Sequence, residues 1–204
     1  MSKKTLAVEL SNIKTFYEPN IILEQYPTDS EIAASALWEA AMKGWIKDKK
    51  IADLGAGTGI LGLGALLMGA KSVDFVEKDK RAIKILSANI EKLKKEYALG
   101  TSNIIESDIL QISEKYDLVI MNPPFGTKNK GEDTKFLLKA FALSNKVVTF
   151  HKTETAEYIE NLANSNRFSI LHKKNTSFPL KKSMPQHKKK TERIKVTFWL
   201  LEKS

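Results

Sequence analysis

Apolar runs of strand length alternate with amphipathic stretches of helix length along most of this chain, and that alternation leaves few folds open. KIADL (50–54), SVDFVE (72–77), SNIIES (102–107), YDLVIM (116–121) and KVVTFH (146–151) read as strands. GILGLGALLMGA (59–70) and residues 79–97, 133–144 and 153–165 read as helices; in the longest, Ile83, Leu86, Ile90, Leu93 and Tyr97 recur at spacings of three and four. Strand then helix, repeated, joins parallel strands through crossovers, so the expected core is a parallel sheet with helices on both faces. The rhythm breaks after residue 165. FSILHKK and RIKVTFWLL are separated by a polar, lysine-rich segment holding Pro179 and Pro185, which predicts an antiparallel hairpin at the end of the sheet. Ahead of the first strand, residues 6–18 and 29–46 read as helices joined by the turn LEQYPT, with Thr28 capping the second and Glu31 completing a capping box.

A length of 204 residues suits one core, so a single domain is expected, with the helical segment 1–46 packed on it. The chain has no cysteine, which excludes disulfides, thiol nucleophiles and cysteine-held zinc. No run is long enough to span a bilayer, and MSKKTLAVEL lacks a signal-peptide core; the expectation is a cytoplasmic protein with no membrane association. Net charge is +9 and unevenly spread, for residues 170–204 hold ten Lys or Arg against two Glu while the rest is nearly balanced. Clustered cations suit a polyanion, the plainer alternative being a solvated basic loop.

The chemistry concentrates at strand ends. Asp53 closes the first strand and Gly55, Gly57 and Gly59 follow it, where a backbone without Cβ atoms lets a ligand approach. Open parallel sheets bind ligands there. Glu77 ends the next strand, placed to accept hydrogen bonds from a ribose diol, and Asp108 follows the strand after that, beside the expected adenine. Together they describe a nucleoside pocket. A carboxylate ahead of the glycines would repel a pyrophosphate and suits the ammonium of a methionine moiety, so S-adenosylmethionine fits better than NAD.

The fourth strand runs into MNPPFGTKNKG (121–131). Pro123 and Pro124 stiffen the chain so that the Asn122 side-chain oxygen and the Pro123 carbonyl point into the cleft. An exocyclic amine such as adenine N6 is a poor nucleophile, because its lone pair is delocalised into the ring. Two acceptors draw it towards a pyramidal geometry and free that pair for in-line attack on a methyl sulfonium. Phe125, read as an exposed aromatic, would stack on the unstacked base, a contact worth about 1–3 kcal/mol. A proline turn with a core phenylalanine is the structural alternative.

DLGAGTG paired with NPPF resembles class I methyltransferases acting on exocyclic or amide nitrogens. LEQYPT, ADLGAGTGILGLGA, VIMNPPFGTKNKG and the HK at 151–152 together resemble the methyltransferase-like family of ribosomal RNA adenine-N6 methyltransferases of archaea and eukaryotes. That resemblance implies a Rossmann-like, seven-stranded, mostly parallel sheet with a C-terminal antiparallel hairpin, and N6-methyladenosine in small-subunit ribosomal RNA as product. It implies cofactor contacts from Gln25, Thr28, Gly55, Thr58, Ile60, Glu77, Asp108 and Ile109. Substrate RNA contacts are expected from Lys128, from His151 and Lys152 beside the base, and from Lys188, Lys189 and Lys190 on phosphates. The family further implies a small zinc-binding activator subunit, for which 102–107, as an unpaired edge strand, offers strand addition. Other readings stay open: DNA adenine or a protein glutamine amide as acceptor, or an RNA-binding scaffold without catalysis.

Overall fold

Seven strands form one sheet in the computed structural model, which describes residues 1–16, 28–125, 131–179 and 193–204. They are β1 (Lys50–Leu54), β2 (Ser72–Glu77), β3 (Thr101–Glu106), β4 (Leu118–Met121), β5 (Lys146–Lys152), β6 (Phe168–Pro179) and β7 (Arg193–Lys203), in the order β3-β2-β1-β4-β5-β7-β6. The first five are parallel; β7 enters antiparallel between β5 and β6, so the C-terminal hairpin is as expected. The helices are α1 (Lys3–Ser11), α2 (Ser30–Met42), α3 (Ile60–Leu67), α4 (Lys80–Glu96), α5 (Glu132–Leu143) and α6 (Ala156–Ser165).

Side chains alternate across each strand, and the central strands are apolar on both faces because both are covered. Ile51, Leu118, Ile120, Val148 and Phe150 face one core with Leu6, Leu10, Leu37, Leu63, Leu86 and Ile90 from α1 to α4. Leu54, Val119, Met121 and Val147 face the other, with Leu137 and Phe141 of α5 and Ile159 of α6. Gly64 permits a close approach on the first face, since a Cβ there would run into Leu37 of α2. No helix among the described residues is long and apolar enough to cross a membrane.

Local chemistry moves several boundaries. Asp29, not Thr28, caps α2, its Oδ1 accepting the N–H groups of Glu31 and Ile32 at 3.0 and 3.2 Å. The carboxylate reaches the free helical N–H groups, and Thr28 is released for another partner. The N-terminal helix stops at Ser11 rather than continuing to 18, and α2 ends at Met42, with Trp45 and Ile46 buried in the turn beyond it. The turn LEQYPT lies mostly outside the described residues. SNIIES falls on the edge strand β3, which among the described residues pairs with β2 alone, as expected.

Candidate active site

Strand order reverses between β1 and β4, so crossovers leave these neighbours in opposite directions and open a crevice at their carboxyl ends. Leu54 pairs with Met121 across that point. The glycine loop therefore begins beside Asn122. Gly55 and Gly57 hold φ of +68° and +56°, left-handed values that a Cβ disfavours. The loop is bound back onto β2: Gly55 and Ala56 both donate to the Val76 carbonyl, at 2.9 and 3.0 Å, and Gly57 donates to Glu77 Oε2 at 2.8 Å.

Three carboxylates gather at the ends of successive strands. Asp53 is buried, and its Oδ2 accepts the Gly62 N–H at 2.8 Å, so a strand residue caps α3, whose own N-cap, Gly59, has no side chain to do so. Burial pushes the Asp53 carboxyl up to about 7, with the charge of Glu77 adding to the rise and the Gly62 bond opposing it. Glu77 Oε1 takes the N–H groups of Lys78 and Asp79 at 2.8 and 2.9 Å. Two lone pairs per oxygen leave Oε2 room for a further donor such as a ribose hydroxyl. Asp108 caps the short 3-10 helix Ile109–Gln111 through the Leu110 N–H at 2.9 Å, and Ile109 is buried beneath it.

Asn89 is a site residue that the sequence reading missed. It is 2% exposed on α4; Oδ1 accepts the Lys14 N–H at 3.0 Å, and Nδ2 lies 2.9 Å from both the Lys14 and the Thr58 carbonyls. One side chain thus ties the N-terminal segment to the glycine loop. Phe16, just beyond Lys14, lies against Gly57, where a Cβ would sit 3.6 Å from its ring. The available signal was an amide within the apolar stripe of α4, between Leu86 and Ile90. Thr58 is buried in this loop, and Ile60 opens α3.

At the end of β4, the Asn122 amide nitrogen donates to Thr28 Oγ1 at 2.9 Å. Its Oδ1 is buried and has no hydrogen-bond partner among the described residues. A buried acceptor left in this state costs about 1–3 kcal/mol, which a bound donor would recover. Pro123 is buried, Pro124 half-buried, and Phe125 only 6% exposed within the core on the α1 to α3 face. Phe125 is therefore not the exposed aromatic expected from sequence, because the corner folds it inward where its apolar area is shielded. His151, expected beside the base, is buried too: it is 1% exposed, Nε2 lies 2.9 Å from Thr149 Oγ1, and burial pushes its pKa down to about 3. Its partner in the expected pair, Lys152, is half-buried and bonded to Glu154 at 3.1 Å. Gln25, Lys128, Lys188, Lys189 and Lys190 lie outside the described residues.

The residues present fit S-adenosylmethionine. The Asp53 carboxyl is raised chiefly by burial and further by the charge of Glu77, and two carboxylates at this cleft suit a ligand bearing sulfonium and ammonium groups better than a pyrophosphate. Residues 25–178 match the family model described as conserved hypothetical protein 95. The chain is 36% identical to the rRNA N(6)-adenosine-methyltransferase METTL5 of Danio rerio, over 97% of each chain, and 34% identical to Mettl5 of Drosophila melanogaster, over 95% of this chain and 92% of that one. It belongs to this rRNA N(6)-adenosine-methyltransferase family. A solved structure from Pyrococcus horikoshii, a proposed RNA methyltransferase, is 41% identical, superposes with a TM-score of 0.87 and covers 98% of both chains. For a member of this methyltransferase family, strand order β3-β2-β1-β4-β5-β7-β6 is the class I fold expected from sequence.

Proposed function

We propose that this chain transfers a methyl group from S-adenosylmethionine to N6 of an adenine in ribosomal RNA, the small-subunit RNA being the substrate. The observation that carries the reading is the Asn122 amide, pinned by Thr28 through its nitrogen so that an unpartnered, buried oxygen remains. Such an oxygen can only accept, and an exocyclic amine is a donor of matching polarity. When bound, the cofactor supplies an electrophilic methyl on sulfur. Asn122 Oδ1 and the Pro123 carbonyl hold the two N6 hydrogens, drawing the amine out of conjugation so that its lone pair forms the new N–C bond. The S–C bond breaks as that bond forms, and the surplus N6 proton leaves to solvent. Glu77 orients the ribose, Asp108 and Ile109 border the adenine of the cofactor, and Asp53 holds the α3 end of the loop while offsetting the cofactor's positive charge. Gly55, Gly57, Thr58 and Ile60 shape the cradle.

The test is transfer of labelled methyl to total RNA, DNA and protein in parallel, with nucleoside analysis. Label in N6-methyladenosine from the RNA arm supports the reading; label only in DNA or in protein glutamine overturns it.

The reading extends to a partner. β3 leaves one edge of the sheet open, and a small zinc-binding subunit that adds a strand there would cover it. Full activity and solubility of the purified chain alone would rule that dependence out. We place the reaction in the cytoplasm, which cell fractionation checks.

A further inference from the structure

A pocket of about 680 Å³ opens at the carboxyl edge of the sheet, on the side of Asn122 away from the glycine loop. Four elements converge on it: Asp29 and Glu31 at the start of α2, Thr153 after β5, Asn175 and Thr176 of β6, and Lys195 of β7. It adjoins the reaction centre through the chain itself, since Thr28, bonded to Asn122, immediately precedes Asp29.

Much of the lining is already engaged. Asp29 Oδ1 caps α2, and Thr197 Oγ1 lies 2.8 Å from Asn175 Oδ1 and 3.1 Å from Thr153 Oγ1. One hydroxyl hydrogen serves Asn175, so Thr153 must donate to Thr197. What remains for a ligand is the Glu31 carboxylate, the Asn175 amide N–H groups, the Thr176 hydroxyl and the Lys195 ammonium; none has a side-chain partner among the described residues. Two carboxylates against one ammonium is the wrong balance for gripping phosphate. Neutral donors and acceptors beside a carboxylate suit ribose hydroxyls and base edges instead.

Topology says which way a polynucleotide must run. With its target adenine turned in to Asn122, it meets on the β1 to β3 side the cleft of Glu77 and Asp108, which the reading above gives to the cofactor. On the β5, β7 and β6 side it meets this pocket, with Lys173 and Lys174 of β6 and Lys195 of β7 on that half of the sheet. We propose that the pocket holds the nucleotide next to the target adenosine, bound through its ribose 2′-hydroxyl and base edge, and thereby distinguishes RNA from DNA at that position. The proposal rests on the RNA reading above. Glu31 accepts the 2′-hydroxyl hydrogen, and Thr176 supplies the complementary hydroxyl contact.

The experiment uses a ribosomal RNA fragment spanning the modified adenosine, mapped by nucleoside analysis, together with copies bearing one 2′-deoxy nucleotide at either neighbour. For the unaltered protein, one of the two copies is expected to show a KM raised about ten- to a hundredfold, the loss of one hydrogen bond to a charged acceptor. Glu31→Ala and Thr176→Val, each with unchanged cofactor affinity and thermal midpoint, should raise KM for the all-ribose fragment and shrink the deoxy penalty to less than about twofold. Two variants guard against one failing to fold. Methylation of both deoxy copies as efficiently as the parent, or a full penalty in both variants, overturns the pocket assignment while the RNA reading stands. Failure of the unaltered protein to methylate any RNA overturns both.

Discussion

The Asn122 amide nitrogen and the Thr28 hydroxyl meet at 2.9 Å across 94 positions of sequence, and this contact decides which end of the amide is left free. Without an acceptor at Thr28, the amide can rotate and present its NH₂ group, a donor facing a donor, to the substrate amine. Asn122→Ala should lower kcat about 100-fold or more, by analogy with removal of one oriented polar group from a reaction centre, with cofactor affinity nearly unchanged. Thr28→Val keeps the shape and removes the acceptor, and should lower kcat about tenfold through misorientation alone. Single-turnover transfer of labelled methyl and calorimetric titration of the cofactor separate the two effects. A large loss of cofactor affinity in Asn122→Ala would count against the assignment.

Asp53 makes stability depend on pH in a definite direction. Its carboxyl is raised from 3.8 to about 7, chiefly by burial, so between those values the folded chain binds a proton that the unfolded chain has lost. Its contribution to stability is therefore fully present below about pH 4 and declines as pH rises to about 7. Asp53→Asn keeps an oxygen for the Gly62 N–H and removes the titration. Relative to the parent chain, the variant without cofactor should gain thermal stability at pH 8 and little at pH 4. Scanning calorimetry at the two values checks this, and an equal shift at both would refute it.

The sheet was legible because its strands are short apolar runs bounded by glycine or charge, and because repeated crossovers admit parallel order only; the edge position of β3 was foreseen on the family likeness. The carboxylates were legible for the same reason, since strand ends position them. What sequence concealed were contacts between distant segments. Nothing local says that Asp29 will outcompete Thr28 for the α2 N-terminus, or that Thr28 will then turn to Asn122. The exposure of Phe125 was misjudged because position at a strand end does not reveal which layer folds over it; the core claimed the ring.

Asn89 bonds three backbone groups: the Lys14 N–H and the carbonyls of Lys14 and Thr58. Asn89→Ala should cost about 2–3 kcal/mol of stability, on the order of one kcal/mol for each bond lost. More tellingly, it frees the segment leading to Phe16 from the glycine loop, so KM for the cofactor should rise about tenfold while kcat at saturation changes little. Denaturant melts and steady-state kinetics test the two parts separately. If KM for the cofactor stays unchanged while stability falls, Asn89 serves only the fold.

His151 opposes Asp53 in its pH dependence and differs from the basic segment in what it does for RNA. Burial lowers its pKa from 6.5 to about 3, so between those values the unfolded chain binds the extra proton and its contribution to stability rises with pH. That window overlaps the one in which Asp53 contributes the reverse slope, and the parent chain should look flatter than either group alone would make it. His151→Leu removes one slope and exposes the other: its stability should fall more steeply than the parent's as pH rises from about 4 to about 6.5. A buried neutral ring cannot screen phosphate, so this variant should leave the salt dependence of RNA binding untouched. Lys188, Lys189 and Lys190 replaced together by Ala should instead flatten the slope of log affinity against log salt by about two to three units. Filter binding across a salt series distinguishes the two cases; a flattened slope in His151→Leu would return the imidazole to the RNA surface.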